Sequence, residues 1–94
     1  MTNQLDSMQQ VVQSVYQKVF PKNPLKLKKR LEDIGEEHDE LQNYENIDNL
    51  KEELGDLICT CFQLATEQGW NINELIQENM VKLLKRHEEG HYKK

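Results

Sequence analysis

The chain has 94 residues, of which 36% are hydrophobic and 31% charged, and a formal net charge of −5. That length fits one small domain, residues 1–94, whose own core is only marginally sufficient, so oligomerisation is expected. The acidic excess argues against general affinity for nucleic-acid backbone or anionic membrane, and no run approaches the roughly 18 apolar residues of a membrane span. The N-terminus, "MTNQLDSMQQ", lacks the charged start and apolar run of a secretory signal. A cytoplasmic protein with neither nucleic acid nor membrane as partner is the expectation.

Only two prolines and four glycines occur, and every long segment repeats its apolar residues at the helical period, which predicts an all-α fold. The first predicted helix runs from about Leu5 to Val19, with Leu5, Met8, Val12, Val15 and Val19 on one stripe. "FPKNP" ends it, because Pro21 and Pro24 cannot continue a helix. Asn23 as cap and Pro24 at the first position open the second helix, which carries Leu27, Leu31, Ile34 and Leu41 and runs to about Tyr44. In "ENIDN", Asp48 or Asn49 is the next expected cap. Leu50, Leu54, Leu57, Ile58, Cys61, Leu64 and Ala65 then form the apolar face of a third helix that ends at Gly69. "WNINEL" sets Asn71 and Glu74 three apart as a capping-box-like pair before a fourth helix with Ile72, Ile76, Met80, Leu83 and Leu84. Short connections imply antiparallel neighbours, hence a four-helix, bundle-like protomer that oligomerises through helix faces. Cys59 and Cys61 point about 200° apart on the third helix and cannot readily pair. Both read as reduced thiols, with Cys61 in the core, which fits a reducing compartment.

Two stretches, "IGEEHDEL" and "KEELGDL", load helical turns with negative charge. With Ile34 at zero on a helical wheel, Leu27, Leu31, His38 and Leu41 fall between about −20° and +60°, whereas Glu37, Glu40 and Tyr44 fall between about −60° and −120°. With Leu54 at zero, Glu53 lies near −100° and Asp56 near −160°. Two acidic i,i+3 pairs, Glu37/Glu40 and Glu53/Asp56, thus flank the core edge on consecutive helices. On the last helix Asn79, Lys82 and Arg86 form a row beside the apolar stripe. One acidic pair alone is an ordinary solvated face; two pairs against the same core edge are not. Their mutual repulsion would raise their pKa values unless a cation sits among them. All-oxygen ligands favour Mg²⁺, with Mn²⁺ as the alternative, and such an ion assists attack on a polyphosphate. Lys82 and Arg86 would hold the rest of the anion. Taken singly, these two are ordinary last-turn cations that favour the helix dipole. Trp70 reads either as a core or interface cap or as a base-stacking residue in a nucleotide pocket. His38, at a core-facing angle, reads as a packing residue rather than a ligand.

The same residues carry a resemblance. Glu36-Glu37-x-x-Glu40, followed after twelve residues by Glu53-Leu-Gly-Asp56, is similar to the E-E-x-x-E and E-x-x-D signature of MazG-like members of the all-alpha nucleoside triphosphate pyrophosphatase superfamily. "NMVKLLKR" is similar to the late Asn, Lys and Arg positions of that family. The likeness runs from about residue 8 to residue 87. It implies cleavage of a nucleoside triphosphate between the α and β phosphates, with Mg²⁺, to a monophosphate and pyrophosphate. It also implies metal ligation by Glu37, Glu40, Glu53 and Asp56, and for Glu36 an auxiliary ligand or a group orienting the attacking water, with Glu36 and Glu40 as the catalytic acids. Asn79, Lys82 and Arg86 would contact phosphate or sugar, in a homodimer or homotetramer; Trp70, from its own base-stacking reading, is a further candidate substrate-binding residue. Phosphoribosyl-ATP pyrophosphatase and dimeric dUTPase are relatives that use similar acids.

Competing patterns are weaker. "HEEGH", His87 to His91, matches H-E-x-x-H, but Gly90 interrupts it and little chain remains for a substrate cleft. A di-iron bundle would need two E-x-x-H motifs, which are absent. The alternative from another class is a non-catalytic helical dimerising regulator whose acidic face binds a basic partner. It explains the apolar stripes but does not require two matched acid pairs.

Overall fold

A computed structural model describes residues 3–20 and 26–90. It contains four helices in chain order, α1 (Gln4–Val19), α2 (Leu27–Gln42), α3 (Ile47–Glu67) and α4 (Ile72–Glu88), and no strand among the described residues. No described helix is long and apolar enough to cross a membrane. The fold is all-α, as the periodicity predicts.

Side-chain caps set most of the boundaries. Asn3 accepts a hydrogen bond from the Asp6 amide at 2.8 Å and opens α1. Asn23 and Pro24 lie outside the described residues; α2 begins at Leu27 with Lys26 at the cap position and no side-chain cap bond, and it ends at Gln42, two residues before Tyr44. The cap of α3 is Asn46 rather than Asp48 or Asn49. Its Oδ1 accepts from the Asn49 amide at 2.9 Å while Asn49 Oδ1 accepts from the Glu45 amide at 2.9 Å, so the two asparagines satisfy donors on both sides of the helix start. Gly69, at φ 77, reverses the chain after α3 in a conformation that disfavours a side chain, and Asn71 caps α4 by accepting from the Glu74 amide at 3.0 Å.

The α2–α3 hairpin, closed by residues 43–46, is the most extensive packing in the protomer; α1 lies on α3, and α4 on α1. Polar anchors join these layers. Gln9 Nε2 donates to Thr66 Oγ1 at 2.9 Å and to the Trp70 carbonyl at 2.8 Å, and Gln9 Oε1 accepts from the Ile72 amide at 2.9 Å. Asn71 Nδ2 donates to Asp6 Oδ1 at 2.6 Å. At the far end of the hairpin, Arg30, only 4% exposed, makes a bidentate pair with Glu67 at 2.9 Å through both nitrogens involved.

The apolar stripes are less buried than their periodicity predicts. Among the described hydrophobic residues only Ala65 and Ile72 are buried, beside Arg30, Thr60 and Gln63. On α3 the polar flank Thr60, Gln63 and Glu67 turns inward, while Leu54 and Ile58 are 46% and 47% exposed. Cys61, expected in the core, is exposed on that outward side; both thiols are free. His38, expected to face the core, is exposed beside Asp39. The radius of gyration, 15.7 Å, exceeds the roughly 13 Å of a compact domain this size.

Candidate divalent-cation site

The acid motifs occupy the hairpin end of α2 and α3. An i,i+3 pair on one helix projects two carboxylates to the same side, and antiparallel packing sets the second pair against the first. One carboxylate oxygen from each of Glu37, Glu40, Glu53 and Asp56 lies within 4.8 Å of the others. Glu37 and Glu53 are half-buried, whereas Glu40 and Asp56 are exposed, so the group opens to solvent on one side. Asn49 Nδ2 donates to Glu53 Oε1 at 3.3 Å and steadies one member.

The electrostatics are unfavourable as they stand. Burial, followed by the charges of Glu40, Asp56 and Glu53, pushes Glu37 above its ordinary carboxylate value. Glu53 is also pushed up, first by burial and then by the neighbouring carboxylate of Glu40; Asn49 acts in the opposite direction. Glu37 Oε2 and Glu53 Oε2 are buried with no hydrogen-bond partner. An orphaned carboxylate oxygen inside a group of like charges is costly, and a hard divalent cation satisfies both deficits at once. The donor set therefore fits such an ion.

The other sequence-predicted residues are placed elsewhere. Glu36 is exposed, outside the four-acid group, and its charge acts on Lys29. Asn79 and Lys82 are exposed on α4, where with Leu75 and Glu78 they line a shallow depression of about 300 Å³, and Arg86 follows on the same helix. This helix packs on α1, whereas the acids lie on α2 and α3. Trp70 is 54% exposed at the opposite end of α3 from the acids, on a polar hollow of about 400 Å³ with Asp6, Gln9, Thr66 and Asn71. His87 lies in the last turn of α4, Gly90 turns at φ 82, and His91 is outside the described residues, so no continuous helix is seen to carry H-E-x-x-H.

Sequence reasoning missed the Arg30–Glu67 pair. The available signal was Arg30 itself: at about −40° on the α2 wheel it falls at the edge of the apolar stripe, where a cation that is buried needs a partner.

Four helices with two acid pairs converging from adjacent helices make an all-α protein suited to holding a hard divalent cation. The MazG nucleotide pyrophosphohydrolase domain matches residues 22–91, and the chain belongs to that family of all-α nucleoside triphosphate pyrophosphatases. The family is divalent-metal dependent and acts on nucleotides. Comparison with curated proteins and with solved structures finds no match.

Proposed function

We propose that residues 1–94 form a single catalytic domain that hydrolyses a ribo- or deoxyribonucleoside triphosphate to the monophosphate and pyrophosphate, using Mg²⁺ or, in its place, Mn²⁺. The carrying observation is the convergence of Glu37, Glu40, Glu53 and Asp56 within 4.8 Å, with buried carboxylate oxygens left unpartnered. These four residues would hold the cation. When bound, it supplies charge neutralisation at the polyphosphate and a more acidic water. The charge of Glu40 acts on both Glu37 of its own helix and Glu53 of the neighbouring one. Glu36, exposed and outside the group, would be an auxiliary ligand or would orient the attacking water. Overall, water and the α–β anhydride exchange one P–O bond for another, yielding monophosphate, pyrophosphate and a proton.

The substrate contacts of Asn79, Lys82, Arg86 and Trp70 are assigned to a second copy of the chain, because α4 packs on α1 whereas the acids lie on α2 and α3. A homodimer or homotetramer also covers the apolar side chains of α3 and α4 that the protomer leaves exposed, including Leu54, Ile58, Ile76, Met80 and Leu84. A cytoplasmic location accords with the free thiols of Cys59 and Cys61.

Incubation of the purified protein with Mg²⁺ and a panel of triphosphates, including dUTP and phosphoribosyl-ATP, tests the reading. Monophosphate and pyrophosphate are the expected products, and Glu40→Gln or Asp56→Asn abolishes their release with helical content unchanged. Diphosphate and inorganic phosphate as products, or full turnover by either variant, would contradict it.

A further inference from the structure

The acid group sits near the closed end of the α2–α3 hairpin, but the turn alone leaves two degrees of freedom, sliding and rotation of one helix on the other. Apolar contacts constrain these poorly here, since Leu27, Leu31, Leu54 and Ile58 are all about half exposed and nondirectional packing tolerates small shifts. A slip of one residue moves a helix by roughly 1.5 Å. Octahedral magnesium sites tolerate only a few tenths of an ångström around about 2.1 Å.

We propose that the Arg30–Glu67 pair is the positioning device that holds α2 and α3 in the register at which their two acid pairs meet. The inference rests on the reading of those acids as a divalent-cation site. The pair is placed for that task. Arg30 Nε and Nη2 each donate to a different Glu67 oxygen at 2.9 Å, and the side chains are 4% and 6% exposed, so solvent screens them little. A two-point fork fixes translation and rotation together, unlike a point charge. Arg30 also lies 3.4 Å from Asp33 and 5.5 Å from the Tyr16 ring centroid.

From there a continuous path leads to the acids. Tyr16 Oη is 3.4 Å from Thr60 Oγ1, and Thr60 Oγ1 donates to the Asp56 carbonyl at 2.8 Å. Thr60 is itself buried, with buried Gln63 beside it on the inward face of α3. Arg30 is thus joined through α1 to the backbone of one of the four acids, and through Glu67 to the far end of the helix that carries two of them.

The test separates register from stability. In Arg30→Met/Glu67→Leu, apolar side chains of similar volume replace the pair, a change that commonly preserves or raises stability while removing the directional fork. Binding is measured with Mn²⁺ alone, by electron paramagnetic resonance of the free ion, alongside thermal melting without metal. The expected result is a melting temperature at or above that of the wild type and Mn²⁺ affinity at least about tenfold weaker, comparable to loss of an outer-shell metal-site contact. Arg30→Lys, which keeps the charge and loses the fork, carries the same test if the double variant does not fold, with a smaller loss of affinity. Wild-type Mn²⁺ affinity in a folded variant would overturn the positioning role and leave the metal site standing. Absence of Mn²⁺ binding by the wild-type protein would overturn the metal site itself.

Discussion

Glu37 and Glu53 carry the clearest signature of the site, because each keeps a buried oxygen with no partner and is pushed above the ordinary carboxylate value of 4.5. A carboxyl whose pKa is higher in the folded than in the unfolded chain binds its proton more tightly when folded. Its contribution to stability is complete below the unfolded value near pH 4.5 and is lost as pH rises through the raised folded value. Glu53→Gln imitates the protonated form at every pH. In metal-free buffer it should melt above the wild type at pH 8, and the advantage should fade below pH 4.5. With saturating Mg²⁺ the order at pH 8 reverses, because the ion stabilises only the form with its carboxylates intact. Equal melting of the two proteins across this range, with and without the ion, would show that the repulsion is absent. The residues behind this prediction were legible in the sequence because i,i+3 spacing fixes which side of a helix both acids leave from. Arg30 and Glu67 were not, since their partnership depends on how two helices meet 37 positions apart.

At the scale of the elements, α3 is where sequence and structure part most instructively. Periodicity predicts one apolar face on this helix, formed by Leu50, Leu54, Leu57, Ile58, Cys61, Leu64 and Ala65. In the structure that face divides: Ala65 is buried and Leu50, Leu57 and Leu64 are half-buried, while Leu54, Ile58 and Cys61 are exposed and the polar flank of Thr60, Gln63 and Glu67 turns inward. Periodicity identifies the face of a helix that must leave water but does not say whether it leaves against its own chain or another. The same ambiguity explains the exposed thiol of Cys61 and the exposed ring of His38. The cap was legible at Asn71, where Glu74 three residues on marks the helix start, and not where Asn46 and Asn49 competed with Asp48 for one helix start. If a second copy covers the stripe, Ile58→Lys should reduce the sedimenting mass to that of one chain, 11.2 kDa, because a lysine at the centre of an apolar interface strands its charge. A wild-type chain that sediments as a monomer would contradict the assignment of this face.

At the scale of the whole molecule, a thin interior and a crowded anionic patch have a common logic. A chain with a radius of gyration of 15.7 Å and two buried hydrophobic residues among those described lacks the interior of an independent globule. If a second copy covers the exposed apolar side chains, the interior is free to keep polar contacts such as Arg30–Glu67 between α2 and α3, the helices that carry the four carboxylates. The central claim is that this point binds a divalent cation for pyrophosphohydrolysis. Calorimetric titration of Mg²⁺ into the wild-type protein and into Glu40→Gln tests it most directly. Saturable binding by the wild type and affinity at least about tenfold weaker in the variant are expected. No heat of binding by the wild type, or the same isotherm from both proteins, would contradict it.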